Sequence, residues 1–296
     1  MPGVEASVVP EPIARALCEF AMLPVAEDRF GVVAQTLSDV LNGRGALAKL
    51  DLTDGAATTR FIGETRPDIV VVAAANAFVE ECEREPEATR AINVDAVRRV
   101  AEAAPDALLV VFSTEYVFDG RAGPYVEDDA VGPINEYGRQ KVALEAIARE
   151  RAAHLVCRVS GVYGWSAARL SFVHQLVDRL RAGRRMRVPS DQVITPTPGP
   201  DLARTIVELV DRGARGTFHA AGPEILARPD FARRAAETFR LDASLLDMVP
   251  TAALGLVAPR PLGVGLRTEK LRDFLGHGLP ASVEGLAAMR DAEPRP

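Results

Sequence analysis

Tyr137 and Lys141 stand four residues apart in "PINEYGRQK", 23 residues after Thr114 of "FSTEYVFDG". On a helix that spacing puts both side chains on one face. An ammonium beside a phenol favours the phenolate and is expected to pull the Tyr137 pKa down from its ordinary ~10 towards working pH. A phenol tuned in this way passes its proton to a carbonyl oxygen as that oxygen gains charge. A hydroxyl such as Thr114, at the carboxyl end of a strand, can hydrogen-bond the same oxygen. Tyr and Lys four apart also occur as plain surface pairs. The chemical reading therefore depends on the elements that carry the three residues.

Those elements alternate. Strand-like apolar runs are "ASVV", "FGVVAQ", "ALAKL", "DIVVVAAA", "ALLVVFS" and "HLVCRVS". The runs at 68–75 and 108–113 are continuously apolar, as strands covered on both faces should be. Between them lie helical patterns: Asp54 precedes "GAATTRFIGETR", Pro67 ends it, and 88–104 places Ile92, Val97, Val100 and Ala104 on one side. A helix over 137–150 carries Tyr137 and Lys141. This alternation predicts an α/β fold with a doubly wound, parallel, Rossmann-like sheet, whose ligands bind outside the carboxyl ends of the strands. After Ser160 the rhythm changes to an amphipathic helix with Leu170, Val173, Leu176, Val177 and Leu180 on one face. An Arg-rich turn, the proline-rich "DQVITPTPGPDLA", a helix at 201–211, a strand at 216–220 and shorter helices follow. The expected division is a nucleotide-binding domain over 1–160, with 191–220 returning to it, and a smaller C-terminal substrate lobe from 161–190 and 221–296.

Bulk properties exclude several classes. A net charge of −6 and a pI near 5.4 offer no excess cation to release counterions, which argues against nucleic acid. Cys18, Cys82 and Cys157 are far apart without a CxxC pair and read as thiols in a reducing compartment. His154, His174, His219 and His277 lack metal-ligand spacing, so no metal site is expected. No basic n-region marks a signal peptide, and the apolar run 69–75 is far short of the ~20 residues that span a bilayer. The expected setting is soluble and cytoplasmic, with no membrane partner.

The stretches "LDLTD" at 50–54, "RPDIVVVAAA" at 66–75, "EPEATRAINVDA" at 85–96, "STEYVFDG" at 113–120, "PINEYGRQK" at 133–141, "CRVSGVYG" at 157–164, "PTPGPDLA" at 196–203 and "GTFHAAG" at 216–222 occur in order. Together they resemble the extended short-chain dehydrogenases/reductases, and within them the dTDP-4-dehydrorhamnose reductase family, a relative of the regulatory β subunit of methionine adenosyltransferase. The resemblance implies reduction of the keto group of a nucleotide-activated 4-keto-6-deoxy sugar by NADPH or NADH. It assigns Tyr137 as general acid and Lys141 as its partner and holder of the nicotinamide ribose. Thr114 fixes the carbonyl oxygen, and Asn93 matches a residue organising the proton relay; Asn93 also reads as a helix-interior group bonding backbone. Asp51 and Leu52 match positions near the adenine, with a helix-start role open for Asp51. Ala73, Ala74 and Ala75 match a small-residue strand end under the cofactor. Glu115, Val162, Tyr163, Trp165 and Gln192 fall in segments lining the sugar-nucleotide cleft, Trp165 either stacking on a ring or simply packing. Glu115 replaces the family's usual Asp, and Ile194 its usual Gly. The cluster Arg181, Arg184, Arg185 and Arg187 reads as a solvated turn before a diphosphate clamp, and the acidic "EECERE" at 80–85 as a solvated helix edge. The resemblance leaves room for a homodimer; some members hold magnesium at a dimer contact, and no acidic cluster here is assigned to that.

One departure stands at the front. The family opens on a glycine-rich turn whose backbone N–H groups receive the pyrophosphate. Here the turn is Pro10-Glu11-Pro12, and no glycine lies between Gly3 and Gly31. Two prolines remove two donors and fix φ near −65°, and Glu11 puts a carboxylate where a diphosphate should sit. On the second strand Gln35 and Thr36 stand where an acid would grip a ribose. Three functions stay open: the NAD(P)H-dependent reductase, a non-redox enzyme using the Tyr/Lys pair for proton transfer, and a non-catalytic binding or regulatory protein. Keeping Thr114, Tyr137 and Lys141 together favours an enzyme, the Pro10-Glu11-Pro12 turn favours either of the others, and the balance leans to the first.

Overall fold

A computed structural model describes residues 32–33, 49–165 and 171–294. The expected first strand, the Pro10-Glu11-Pro12 turn, Cys18, Gln35 and Thr36 lie outside them, as do residues 166–170.

In chain order the main elements begin with α1 (Gly55–Thr65), β1 (Ile69–Val72), α2 (Val79–Arg84), α3 (Pro86–Arg90), α4 (Ala96–Ala103), β2 (Leu108–Thr114), α5 (Glu136–Arg149) and β3 (His154–Val159). They continue with α6 (Phe172–Arg181), β4 (Met186–Pro189), α7 (Gly199–Asp211), β5 (Gly216–His219), α8 (Arg228–Thr238), β6 (Leu246–Val249), α9 (Glu269–Leu275) and α10 (Ser282–Asp291). Strands β5-β3-β2-β1, in that order, form one parallel sheet. Val111 lies opposite both Val72 and Val156, and Thr114 opposite Val159. The strands thus end together at one edge.

Alternation along β2 explains the layers. Leu109 and Val111 pack with Ile62, Val97, Val100, Leu144 and Ile147 on one face. Leu108 and Val110 pack with Leu202, Ile206, Leu209, Phe218 and Leu271 on the other. A strand buried on both faces has no use for polar residues, which is why the run is continuously apolar. Helix α1 begins where expected: the Asp54 side chain accepts from Ala57 N at 3.0 Å, satisfying one of the orphan donors of the first turn. It ends at Arg66, whose left-handed φ of 44° precedes Pro67.

A third core lies apart from the sheet. Val173, Leu176, Val177 and Leu180 of α6 bury against Phe231 and Ala235 of α8 and Leu286 of α10, beside the parallel pair β4–β6. The pairing of Val32–Val33 departs from expectation. Val32–Val33 pairs antiparallel with Lys49–Leu50, in a two-residue ladder separate from the parallel sheet. Among the described residues no helix is long and apolar enough to cross a membrane.

Candidate active site

Thr114 is the last residue of β2, and a short 3-10 turn, Glu115–Val117, follows at once. Asn135 starts α5: its side-chain oxygen accepts from Gly138 N at 2.8 Å, while its amide donates to Pro259 O at 2.9 Å. Gly138 lets the helix end press onto the turn. A Cβ there would lie 2.3 Å from Tyr116 O and 2.8 Å from Pro133 Cβ. This contact carries Tyr137, half-buried, to the end of β2. Its ring meets Tyr116 edge-on at 6.0 Å, and the nearby Thr114 hydroxyl favours its phenolate. The Thr114 hydroxyl also accepts from Tyr116 N at 3.2 Å and donates to Glu115 Oε2 at 3.3 Å.

Lys141 is buried one turn further along. Its ammonium donates to Phe112 O at 2.9 Å and lies 5.8 Å from the Tyr137 ring centroid. Burial pushes its pKa down to about 8, against the opposing pull of Cys82 and Glu145. The expected lowering of the Tyr137 pKa is corrected here. Burial, then the neighbouring Glu115 and Cys82, push the phenol above its ordinary range, and only the Thr114 hydrogen bond acts downwards. Lys141 does not win because it is itself desolvated and spends a donor on the β2 backbone. A phenol held protonated is a proton donor at rest rather than a standing phenolate.

Glu115 is the third titratable group of the site. Burial, its largest influence, lifts it to about 7, although its own backbone N–H, Thr114, Arg228 and Ser160 all favour the anion. Arg228 stacks 4.7 Å over Phe172 and donates to Gln192 Oε1 at 3.0 Å. Gln192 donates in turn to Thr251 Oγ1 at 3.0 Å. Gln192 lies beside Arg228, and its amide is engaged in holding Arg228 and Thr251.

Other expected residues fall in different places. Asn93 is fully buried within a π-turn, Ala91–Asp95, between α3 and α4. Its oxygen accepts from Asn76 N at 2.7 Å; its amide donates to Asn76 O at 2.9 Å and Gln140 Oε1 at 2.8 Å. It ties the chain leaving β1 to α5, which is the backbone-bonding reading. Ala73, Ala74 and Ala75 are half-buried directly past β1, alongside the end of β2. Asp51 is exposed, and its Oδ1 accepts from Thr53 N at 2.8 Å and Thr53 Oγ1 at 2.7 Å, closing the turn into α1. Leu52 is buried in the core, its carbonyl accepting from Arg99 at 3.1 Å. Val162 is half-buried opposite Thr197.

Two substrate assignments are corrected. Tyr163 is 1% exposed and packs on Phe231 in the third core, where an aromatic ring gains more from burial than at a wet rim. Trp165 stands edge-on to His174 at 4.6 Å and Phe239 at 5.8 Å, and its indole donates to Met289 O at 2.6 Å. It packs, half-buried, against the third core. The arginine cluster disperses, Arg181 pairing with Glu293, Arg185 with Asp247 and Arg187 with Ala253 O.

The acidic run at 80–85 is more than a solvated edge. Glu83 Oε2 accepts from Glu136 N at 2.8 Å, adding an acceptor and a negative charge to the start of α5. Glu80 accepts from Val257 N at 2.8 Å and Arg260 at 2.9 Å, pinning the segment 257–260 that Asn135 also holds. Both acids position the helix bearing Tyr137. The available signal was an acidic stretch just before the motif helix, and its partners are 53 and 180 residues away.

Comparison with known proteins agrees with this geometry. Residues 25–293 match the family model described as "RmlD substrate binding domain". The chain is 33% identical over 253 residues to the "Probable low-salt glycan biosynthesis reductase Agl14" of Haloferax volcanii, covering 83% of this chain and 84% of that one. It is 32% identical to the dTDP-4-dehydrorhamnose reductase of Escherichia coli, with 80% and 82% covered. It is 31% identical to methionine adenosyltransferase 2 subunit beta of Danio rerio, with 77% and 73% covered. Among solved structures, dTDP-4-dehydrorhamnose reductase of Bacillus anthracis in complex with NADP superposes with a TM-score of 0.76 at 28% identity, covering 81% and 86%. A parallel sheet with these strand ends, and matches of this extent, place the chain in the RmlD substrate-binding domain family.

Proposed function

We propose that this chain reduces the keto group of a nucleotide-activated 4-keto-6-deoxy sugar with NADPH or NADH, Tyr137 donating the proton. One observation carries the reading: Thr114, Tyr137 and Lys141 come from two elements and meet at the carboxyl edge of a parallel sheet. The reductase names of the relatives point the same way.

The residues present fit a dinucleotide over this edge. Small side chains at Ala73, Ala74 and Ala75 leave space past β1, and Lys141, with three donors, gives one to Phe112 O and can give others to a ribose. A reduced nicotinamide bound there supplies hydride to the carbonyl carbon. Thr114 holds the carbonyl oxygen, Tyr137 gives it a proton, and the Lys141 cation stabilises the phenolate left behind. Glu115 works on the same step: neutral, it leaves Tyr137 the stronger acid; ionised, it opposes phenolate formation. We assign 161–190 and 221–296 to substrate binding, in the cytoplasm.

A second reading rests on Pro10-Glu11-Pro12. Its two prolines lack N–H donors that a pyrophosphate needs, which favours a non-redox enzyme or a non-catalytic binding or regulatory protein. Calorimetric titration with NADPH and NADH separates the readings. The reductase predicts saturable binding of one of them below about 100 µM, within the ordinary span of enzyme affinities. Absence of binding by both, with a sugar nucleotide still bound, moves the assignment to the second reading.

A further inference from the structure

Directly beneath the site lies a buried charge cluster that the proposed reaction does not use. Glu145 is 0% and Arg158 1% exposed. Glu145 Oε1 accepts from Ser113 Oγ at 2.5 Å and Arg158 Nε at 2.9 Å; Oε2 accepts from Arg158 Nη2 at 2.9 Å and Arg149 Nη2 at 2.7 Å. Arg158 also donates to Glu127 O at 3.0 Å and lies 5.0 Å over Phe118. The cluster joins three elements. Ser113 precedes Thr114 on β2, Arg158 is on β3, and Glu145 follows Lys141 by one helical turn on the same face of α5.

We propose that Glu145 is a positioning residue, a buried carboxylate that clamps α5 to β2 and β3 and keeps the Lys141 ammonium charged. The kinetic part of this inference rests on the proton-transfer reading of Tyr137; the electrostatic part does not.

The groups facing Lys141 explain why Glu145 matters. Tyr137 shares its helix and is held protonated, and Cys82 approaches from α2. Burial lifts the Cys82 thiol to about 11, so near neutrality it carries no charge. Its own neighbours, Glu81 and Glu136, push the same way. Phe112 offers a carbonyl dipole from β2. Of the two anions credited with holding the Lys141 proton, Glu145 is the one ionised at working pH. Burial would neutralise Glu145, but the bonds from Arg158, Ser113 and Arg149 keep it below the usual carboxylate range. The arginines thereby keep Glu145 ionised, and its negative charge faces Lys141.

The sign follows. A depressed lysine pKa means that the cation is lost as pH rises through about 8. Removing the Glu145 charge moves that loss to lower pH.

The chain contains three lysines, Lys49, Lys141 and Lys270, so the 13Cε signals of 13C-lysine protein can be assigned with single Lys→Arg variants. The expected result is that Lys141 in Glu145→Gln titrates lower than in the unmodified protein by about one pH unit or more, with Glu145→Asp recovering part of the difference. Glu145→Gln leaves Arg158 buried without a counter-charge and can fail to fold, so the double variant Glu145→Gln/Arg158→Gln, neutral on both sides, carries the decision. A downward shift there supports the proposal. A Lys141 titration unchanged in the double variant overturns it and leaves the ion pair a packing role. Neither outcome depends on turnover, so failure of the reductase reading is seen separately. If both readings hold, the alkaline limb of the kcat–pH profile moves down with the Lys141 titration.

Discussion

Replacing Tyr137 by Phe is expected to lower kcat by about 10²–10⁴-fold while leaving the fold in place, the range lost when a positioned general acid is removed. The ring keeps its edge contact with Tyr116 at 6.0 Å, and Thr114 keeps its bonds to Tyr116 N and Glu115. Only the phenolic hydroxyl goes, so the cost to stability is about 1 kcal/mol at most. Steady-state kinetics beside a circular-dichroism melt check both halves. An equally active variant removes Tyr137 from the chemistry. A variant that melts far earlier shows that the hydroxyl serves the structure.

The second large effect runs against helix propensity. Alanine in place of glycine inside a helix ordinarily adds about 1 kcal/mol of stability. At Gly138 the sign should reverse. The new Cβ would lie 2.3 Å from a backbone carbonyl, Tyr116 O, which cannot swing aside as a flexible side-chain tip can. The start of α5 must move off the 3-10 turn, and Tyr137 and Lys141 move with it. Displacements near 1 Å cost about 10²-fold in rate. Gly138→Ala should therefore lower both Tm and kcat/KM, the latter about 10²-fold. A higher Tm with unchanged kinetics would show that the helix does not rest on the turn.

Much of this architecture was legible before the structure, for reasons of period and spacing. Continuous apolar runs marked the buried strands because both faces of the sheet are covered, and Asp54 marked the start of a helix by its chemistry. The Thr114, Tyr137 and Lys141 constellation was readable because two of its members share a helix face and the third closes a strand. The Tyr137 titration was not readable. Its direction depends on how deeply the phenol and its amine are buried and on Glu115, all decided by packing. Trp165 and Tyr163 were misplaced for a related reason: an aromatic beside a cleft motif looks the same in sequence whether it faces the cleft or the core. Glu80 and Glu83 looked like surface charge because their partners lie on distant segments. Glu145 and Arg158 went unread although each is in a quoted or adjacent stretch, since nothing local tells a buried ion pair from two exposed charges.

The most direct test supplies a nucleotide-activated 4-keto-6-deoxy sugar, dTDP-4-dehydrorhamnose, with NADPH deuterated at the transferable position, and weighs the product. The account predicts one deuterium on the former carbonyl carbon with the unmodified protein, and a rate about 10²–10⁴-fold lower with Tyr137→Phe. Labelled product formed as fast by Tyr137→Phe as by the unmodified protein would contradict it.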